Sequence, residues 1–178
     1  MNQDIGRAIV FSMPVVSAAV SLILISLDTT RSSNTVDRKI HYNMIAVYCL
    51  MILFWSGLVM HSIARDTFIA YLPVFFSSFA FIPVFLYRIT HIITDTGERK
   101  LFPACHFILP ACLTLIICAI ALAVPLRQRW AAIYDNEVNL TSAIIDITFI
   151  VCILLCILYS WLSLLRIKSY KRKIIDYS

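Results

Sequence analysis

Residues 142–165 read SAIIDITFIVCILLCILYSWLSLL, and residues 166–178 read RIKSYKRKIIDYS. The first stretch carries one charge, Asp146. The second carries five basic residues: Arg166, Lys168, Lys171, Arg172 and Lys173. A helix needs about 20 apolar residues to cross the ~30 Å hydrocarbon of a bilayer. An apolar run of that length ending in a basic cluster is the pattern of a membrane span whose far end meets the headgroups. Working outward, four more such runs lie at about 8–27, 42–64, 67–87 and 104–126. Helices satisfy their backbone internally, which lipid demands. A barrel strand would instead alternate in polarity at every second residue. The expected fold is therefore all-α: a polytopic integral membrane helix bundle of about five transmembrane helices, followed by a basic tail at 166–178.

Composition agrees. Apolar residues make up 61% of the 178 and charged residues 14%. Soluble domains carry roughly 45–50% and about 25%. No soluble catalytic domain fits in the chain, so neither an enzyme nor a cofactor is expected. The net charge of +5 and pI near 9.0 would elsewhere suggest nucleic acid. Here the excess has a topological meaning. Eleven basic residues fall on one side of a five-span chain: Arg31, Arg38, Lys39, Arg88, Arg99, Lys100 and the five of the tail. Only Arg7, Arg65, Arg127 and Arg129 fall on the other. The positive-inside rule then predicts the N-terminus outside and the C-terminus in the cytoplasm. Tyr42, Tyr87, Tyr159 and Trp161 fall near the inner interface, and Tyr71, Trp130 and Tyr134 near the outer one, as amphipathic rings should. The first run is too long for a signal peptide's apolar region, and its leader lacks a basic cluster. It is read as an uncleaved span.

Few residues suggest chemistry. The six cysteines, Cys49, Cys105, Cys112, Cys118, Cys152 and Cys156, all lie within or beside apolar runs, which indicates no disulfide framework. Cys152 and Cys156 share a helix face, and small packed residues are the expected reading. Asp146 lies a turn into the fifth run. A charge inside a span is a functional hypothesis by default; the structural reading places it within reach of headgroup water. His61, at the outer end of the second run, is its one candidate partner for a proton relay. His41, His91 and His106 lie near the inner face and read as interfacial anchors, so no metal site is expected. Pro73 and Pro83 interrupt the third run, near Ser77 and Ser78. Ser17 and Ser21 have the small-xxx-small spacing that allows helices to approach closely, and so allows a homodimer through the membrane.

The outer 127–141 segment holds Arg127, Arg129, Trp130, Tyr134, Asp135 and Glu137. It is either a solvated loop or, through Arg127, Arg129 and Trp130, a place to sense a small external ligand. Asn139-Leu140-Thr141 has the form of a glycosylation sequon, which a bacterial protein would not normally use. In the tail, Ile167, Tyr170 and Ile174 recur at helical spacing, with Lys168, Lys171 and Arg172 on other faces. A basic amphipathic continuation of a span binds anionic lipid headgroups or leads to a cytoplasmic partner.

Three places carry a family resemblance. They are Phe85-Leu86-Tyr87-Arg88-Ile89-Thr90 with Thr96-Gly97, His106-Phe107-Ile108-Leu109-Pro110, and the tail Tyr170 to Ser178. With the span spacing, they resemble the N-terminal transmembrane region of membrane-anchored AraC-type transcription regulators of Bacteroidetes. In that family a multi-span region precedes a cytoplasmic helix-turn-helix domain. No stretch of this chain reads as a helix-turn-helix, so no direct nucleic-acid binding is expected of it.

The resemblance implies a membrane-embedded sensory or anchoring module of a signalling protein, in a bacterial inner membrane. A small multi-span transporter or membrane-complex subunit is the alternative; it calls for broken spans and buried mid-membrane polar groups, of which only the proline-bearing third run is an example. A membrane enzyme would need clustered acids and histidines. His41, His91 and His106 with Asp95 and Glu98 are the nearest approach.

Overall fold

The computed structural model describes residues 2–31, 34–94, 102–135 and 139–176. Every regular element among them is helical. The order is α1 (Asn2–Arg31), α2 (Thr35–Ile63), α3 (Arg65–Ile93), a 3-10 turn (Ala104–Phe107), α4 (Ile108–Ala123), α5 (Leu126–Tyr134) and α6 (Leu140–Asp176). Five helices are long and apolar enough to cross a membrane, the fourth of them including the 3-10 turn. The protein is an all-α membrane helix bundle.

The helices outrun the apolar stretches that define them. The 28–41 connection expected from the sequence is mostly helix. α1 continues to Arg31, and α2 starts at Thr35 because the Asn34 side chain caps it, accepting from Val36 N at 3.0 Å. This is the local device that starts a helix with a polar residue. His41 Nε2 on α2 lies 3.3 Å from Asp28 Oδ2 on α1 and closes the hairpin. A single residue, Ala64, separates α2 from α3. The C-terminal tail is helical too, since α6 runs unbroken for 37 residues, about 55 Å at 1.5 Å per residue.

Helix α3 is the hub. It packs against α2, α4, α5 and α6, while α1 rests on α2. Its buried residues Phe68, Leu72, Phe75, Phe76, Ala80 and Val84 form the core with Leu113 and Ile117 of α4 and with one stripe of α6. That stripe is Ile145, Thr148, Cys152, Leu155 and Tyr159, at alternating intervals of three and four, as one face of a helix requires. The other faces stay apolar and exposed. Met13, Val16, Ile23 and Leu24 of α1 are each more than 60% exposed. Such surfaces need no protein cover when lipid tails supply it. Ser17, placed in a close-approach motif by its spacing, is exposed, and its neighbour Ala18 makes the buried contact instead.

A close helix contact lies at Gly57. A Cβ built there would come within 2.6 Å of Phe75 Cδ2. Phe75 cannot swing clear easily, since its ring stacks on Phe54 at 5.0 Å and meets Phe68 at 5.5 Å and Phe76 at 5.4 Å. The missing side chain lets α2 approach the hub, and Tyr71 of α3 secures the contact by donating its hydroxyl to Leu53 O at 3.0 Å.

Candidate functional site

Charge sets the depth of each helix. Residues 8–27 of α1, 67–87 of α3 and 147–165 of α6 contain no Asp, Glu, Lys or Arg. Each run is roughly 20 residues, or about 30 Å of helix, the thickness of the hydrocarbon. Asp146 and Arg166 bracket the last run. Asp146 therefore marks one end of the charge-free run of α6. Its side chain is exposed, off the buried stripe of α6. Among the described residues, no hydrogen bond or ion pair joins it to His61.

The segment expected as an outer loop folds in part into α5, and Pro125 caps the turn that leads into it. Glu137 lies outside the described residues. Arg129 is not turned to solvent: it is 8% exposed. Its Nε donates to Val124 O at 3.1 Å, and its Nη1 donates to Ile69 O at 3.2 Å. The second acceptor has a particular origin. In α3 the Ile69 carbonyl would receive the N–H of residue 73, but residue 73 is proline and has none. Arg129 supplies the missing donor, and in doing so fastens α5 and the end of α4 to the hub.

Tyr134, at the end of α5, gathers an aromatic cluster. Its ring lies 5.4 Å from His61, 4.7 Å from Trp130 and 5.2 Å from the Arg65 guanidinium. His61 also meets Phe68 edge-on at 5.0 Å. The Tyr134 hydroxyl is buried and has no hydrogen-bond partner among the described residues. Burial pushes its pKa up; Arg65 opposes the shift and Asp66 adds to it. Of the five residues singled out for sensing, the fold thus brings His61 and Trp130 together through Tyr134. It turns Arg129 inward, leaves Arg127 exposed and holds Asp146 apart.

At the opposite end of the bundle a second set of contacts ties α6 to its neighbours. Tyr159 donates its hydroxyl to His106 O at 3.2 Å, and the His106 Nδ1 lies 3.2 Å from the same oxygen. Both contacts join the turn before α4 to α6 through one phenol group. Proline again sets the acceptor. Pro110 has no N–H to return to the His106 carbonyl four residues earlier. Tyr87, Phe102 and Phe107 pack around this pair, and Arg88 lies 5.9 Å from both the Phe102 and Phe107 rings. Immediately after the charge-free run of α6, Arg166 Nε donates to Thr94 Oγ1 at 2.6 Å, and Thr94 in turn donates to Thr90 O. The first basic residue of the tail is thus bonded to the end of the hub helix. Lys168, Lys171 and Arg172 are exposed.

Thr94, Tyr159 and His106 do not stand out in the sequence as a functional set. The available signal was the two prolines, each marking a carbonyl four residues upstream that needs an outside donor. Thr96-Gly97, Asp95, Glu98, Arg99, Lys100, Tyr177 and Ser178 lie outside the described residues, and of Lys173 only the backbone is described. Among the described residues, no three His, Cys, Asp or Glu side chains are grouped to hold a metal. No protein family, no curated protein and no solved structure matches this chain.

Proposed function

We propose that this protein is a membrane-embedded sensory or anchoring module of a signalling or transcription-regulatory system, with its N-terminus outside and its C-terminus in the cytoplasm of a bacterial inner membrane. The observation that carries this reading is the unbroken α6. It touches α5 at its outer end, is bonded to the end of α3 through Arg166, and continues into the basic tail. The resemblance to AraC-type membrane regulators and the eleven-to-four bias of basic residues support it. An event that lifts α5 breaks the Arg129–Ile69 bond and frees α3 at Pro73. The new packing of α3 reaches α6 through Thr94 and Arg166. A signal drives this only by binding the two packings with different affinity. The tail meets anionic headgroups and a cytoplasmic output, and the chain itself makes no contact with DNA. A homodimer through the membrane helices is the natural assembly for such a device.

Helix phase tests the reading. A reporter domain whose output depends on its orientation is fused after Ser178, and one to four alanines are inserted after Arg172. Each alanine rotates the downstream chain by about 100° and advances it by about 1.5 Å. A sensory helix predicts output that rises and falls with a period near 3.6 residues. Output that is indifferent to the insertions makes the chain an anchor alone, and ion or solute flux in vesicles would favour the transporter reading.

A further inference from the structure

We propose that α4 and α6 together form a binding site for one anionic phospholipid, with an acyl chain in the groove between them and its phosphate held by Arg172 and Lys168. The groove has a volume of about 510 Å³ and is lined by Leu109 of α4 and by Val151, Leu154, Leu155, Leu158 and Trp161 of α6, among others. Every lining side chain is apolar or, for Trp161, apolar with one N–H. The groove lies within the charge-free run 147–165, so hydrocarbon is its medium. Its α6 residues recur at three- and four-residue intervals and define one stripe of the helix. Continued past the bilayer edge at about 100° per residue, that stripe meets Arg172 in line with Leu154, and Lys168 close beside the line of Trp161. Lys171 falls well away from it.

Depth fits as well as direction. The headgroup layer adds roughly 5–7 Å to each side of the hydrocarbon. If the slab ends at Leu165, that layer covers about residues 166–170, and Lys168 stands in it. Arg172 lies just beyond. Helical side chains lean toward the N-terminus, and long basic ones reach back to an interface, so the Arg172 guanidinium returns to the phosphate level. Both side chains are exposed, whereas Arg166 is already engaged with Thr94. An open apolar groove with two exposed cations farther along the same helix face is complementary to a two-part ligand, an acyl chain with an anionic head. A second copy of the chain offers no such match, because the exposed face of α1 is apolar throughout its charge-free run. The inference rests on the tail lying at headgroup level, as proposed above.

Trp161 reports on occupancy, since it is 61% exposed in the groove. The full chain carrying Trp55→Phe and Trp130→Phe is reconstituted in phosphatidylcholine vesicles doped with brominated phosphatidylglycerol or brominated phosphatidylcholine. Quenching of Trp161 is expected to reach half its maximum at an about 30-fold lower mole fraction of the anionic lipid, the factor that two cations at about 1 kcal/mol each supply. Arg172→Gln should cut that preference to about 5-fold, and Lys171→Gln, which removes the same charge from another face, should keep it. Equal loss in both variants overturns the site and leaves a diffuse attraction of the tail. No preference in the unsubstituted tail overturns the site and the headgroup placement together. Quenching by both lipids that falls as protein density rises overturns it in favour of a second copy in the groove.

Discussion

Arg129 and Pro73 act as one unit. The proline leaves Ile69 O without its helical donor, and the arginine 60 residues away replaces it. Arg129→Ala should therefore destabilise the protein by about 2–3 kcal/mol, the range for charged hydrogen bonds whose partners are left buried. Arg127→Ala, two residues earlier and exposed, should change stability by less than about 0.5 kcal/mol. Restoring the backbone donor with Pro73→Ala should make the loss of Arg129 cheaper by about 1 kcal/mol, a coupling that a double-mutant cycle in detergent unfolding measures directly. Additive effects would show that the two residues act separately. The acceptor half of this pair is legible in the sequence, because any proline inside a helix marks a carbonyl four residues upstream. The donor half is not. Arg129 reads as an exposed loop cation until α5 folds back across α3, and a nine-residue helix is too short to form on its own propensity.

At the scale of elements, the α2–α3 contact depends on the bare backbone at Gly57. Gly57→Ala should cost about 1–3 kcal/mol by overpacking Phe75 against Phe54, Phe68 and Phe76. Gly6→Ala on α1 is the matched control. A Cβ there meets nothing within 4 Å, and alanine favours helix by about 1 kcal/mol, so this variant should be neutral or slightly more stable. Unfolding of both variants in mixed micelles decides the matter; equal behaviour would mean that the close approach contributes nothing. The existence of the five long helices could be read from the runs beginning near Ala8, Tyr42, Thr67, Ala104 and Ser142. Their ends could not, because helix persists past the hydrocarbon wherever a cap such as Asn34 or a hairpin pair such as Asp28 and His41 supports it. Nor could the hub be found from hydropathy. An apolar residue facing lipid, such as Met13, and one facing protein, such as Leu72, have the same composition signal when the solvent is itself apolar.

On the scale of the whole molecule, two bonded ends enclose one membrane-deep core. Arg129 fastens one end of the hub, Arg166 fastens the other end to α6, and Tyr159 ties α6 to the turn before α4. Asp146 belongs to this scale as well: it marks where α6 enters the apolar slab, and its partner in depth is Arg166, a charge-free run away. The slab was legible in the spacing of charges, while the two fastenings required the packing of α4, α5 and α6 on α3. The central claim is that five helices cross the bilayer, which puts the two ends of the chain on opposite sides. Fluorescent-protein and alkaline-phosphatase reporters fused in turn before Met1 and after Ser178, expressed in a bacterial host, test it most directly. The account predicts a C-terminal fusion that fluoresces and lacks phosphatase activity, and an N-terminal fusion with the reverse behaviour. Both ends on one side would mean an even number of crossings, and would contradict the placement of α6 and every depth assigned from it.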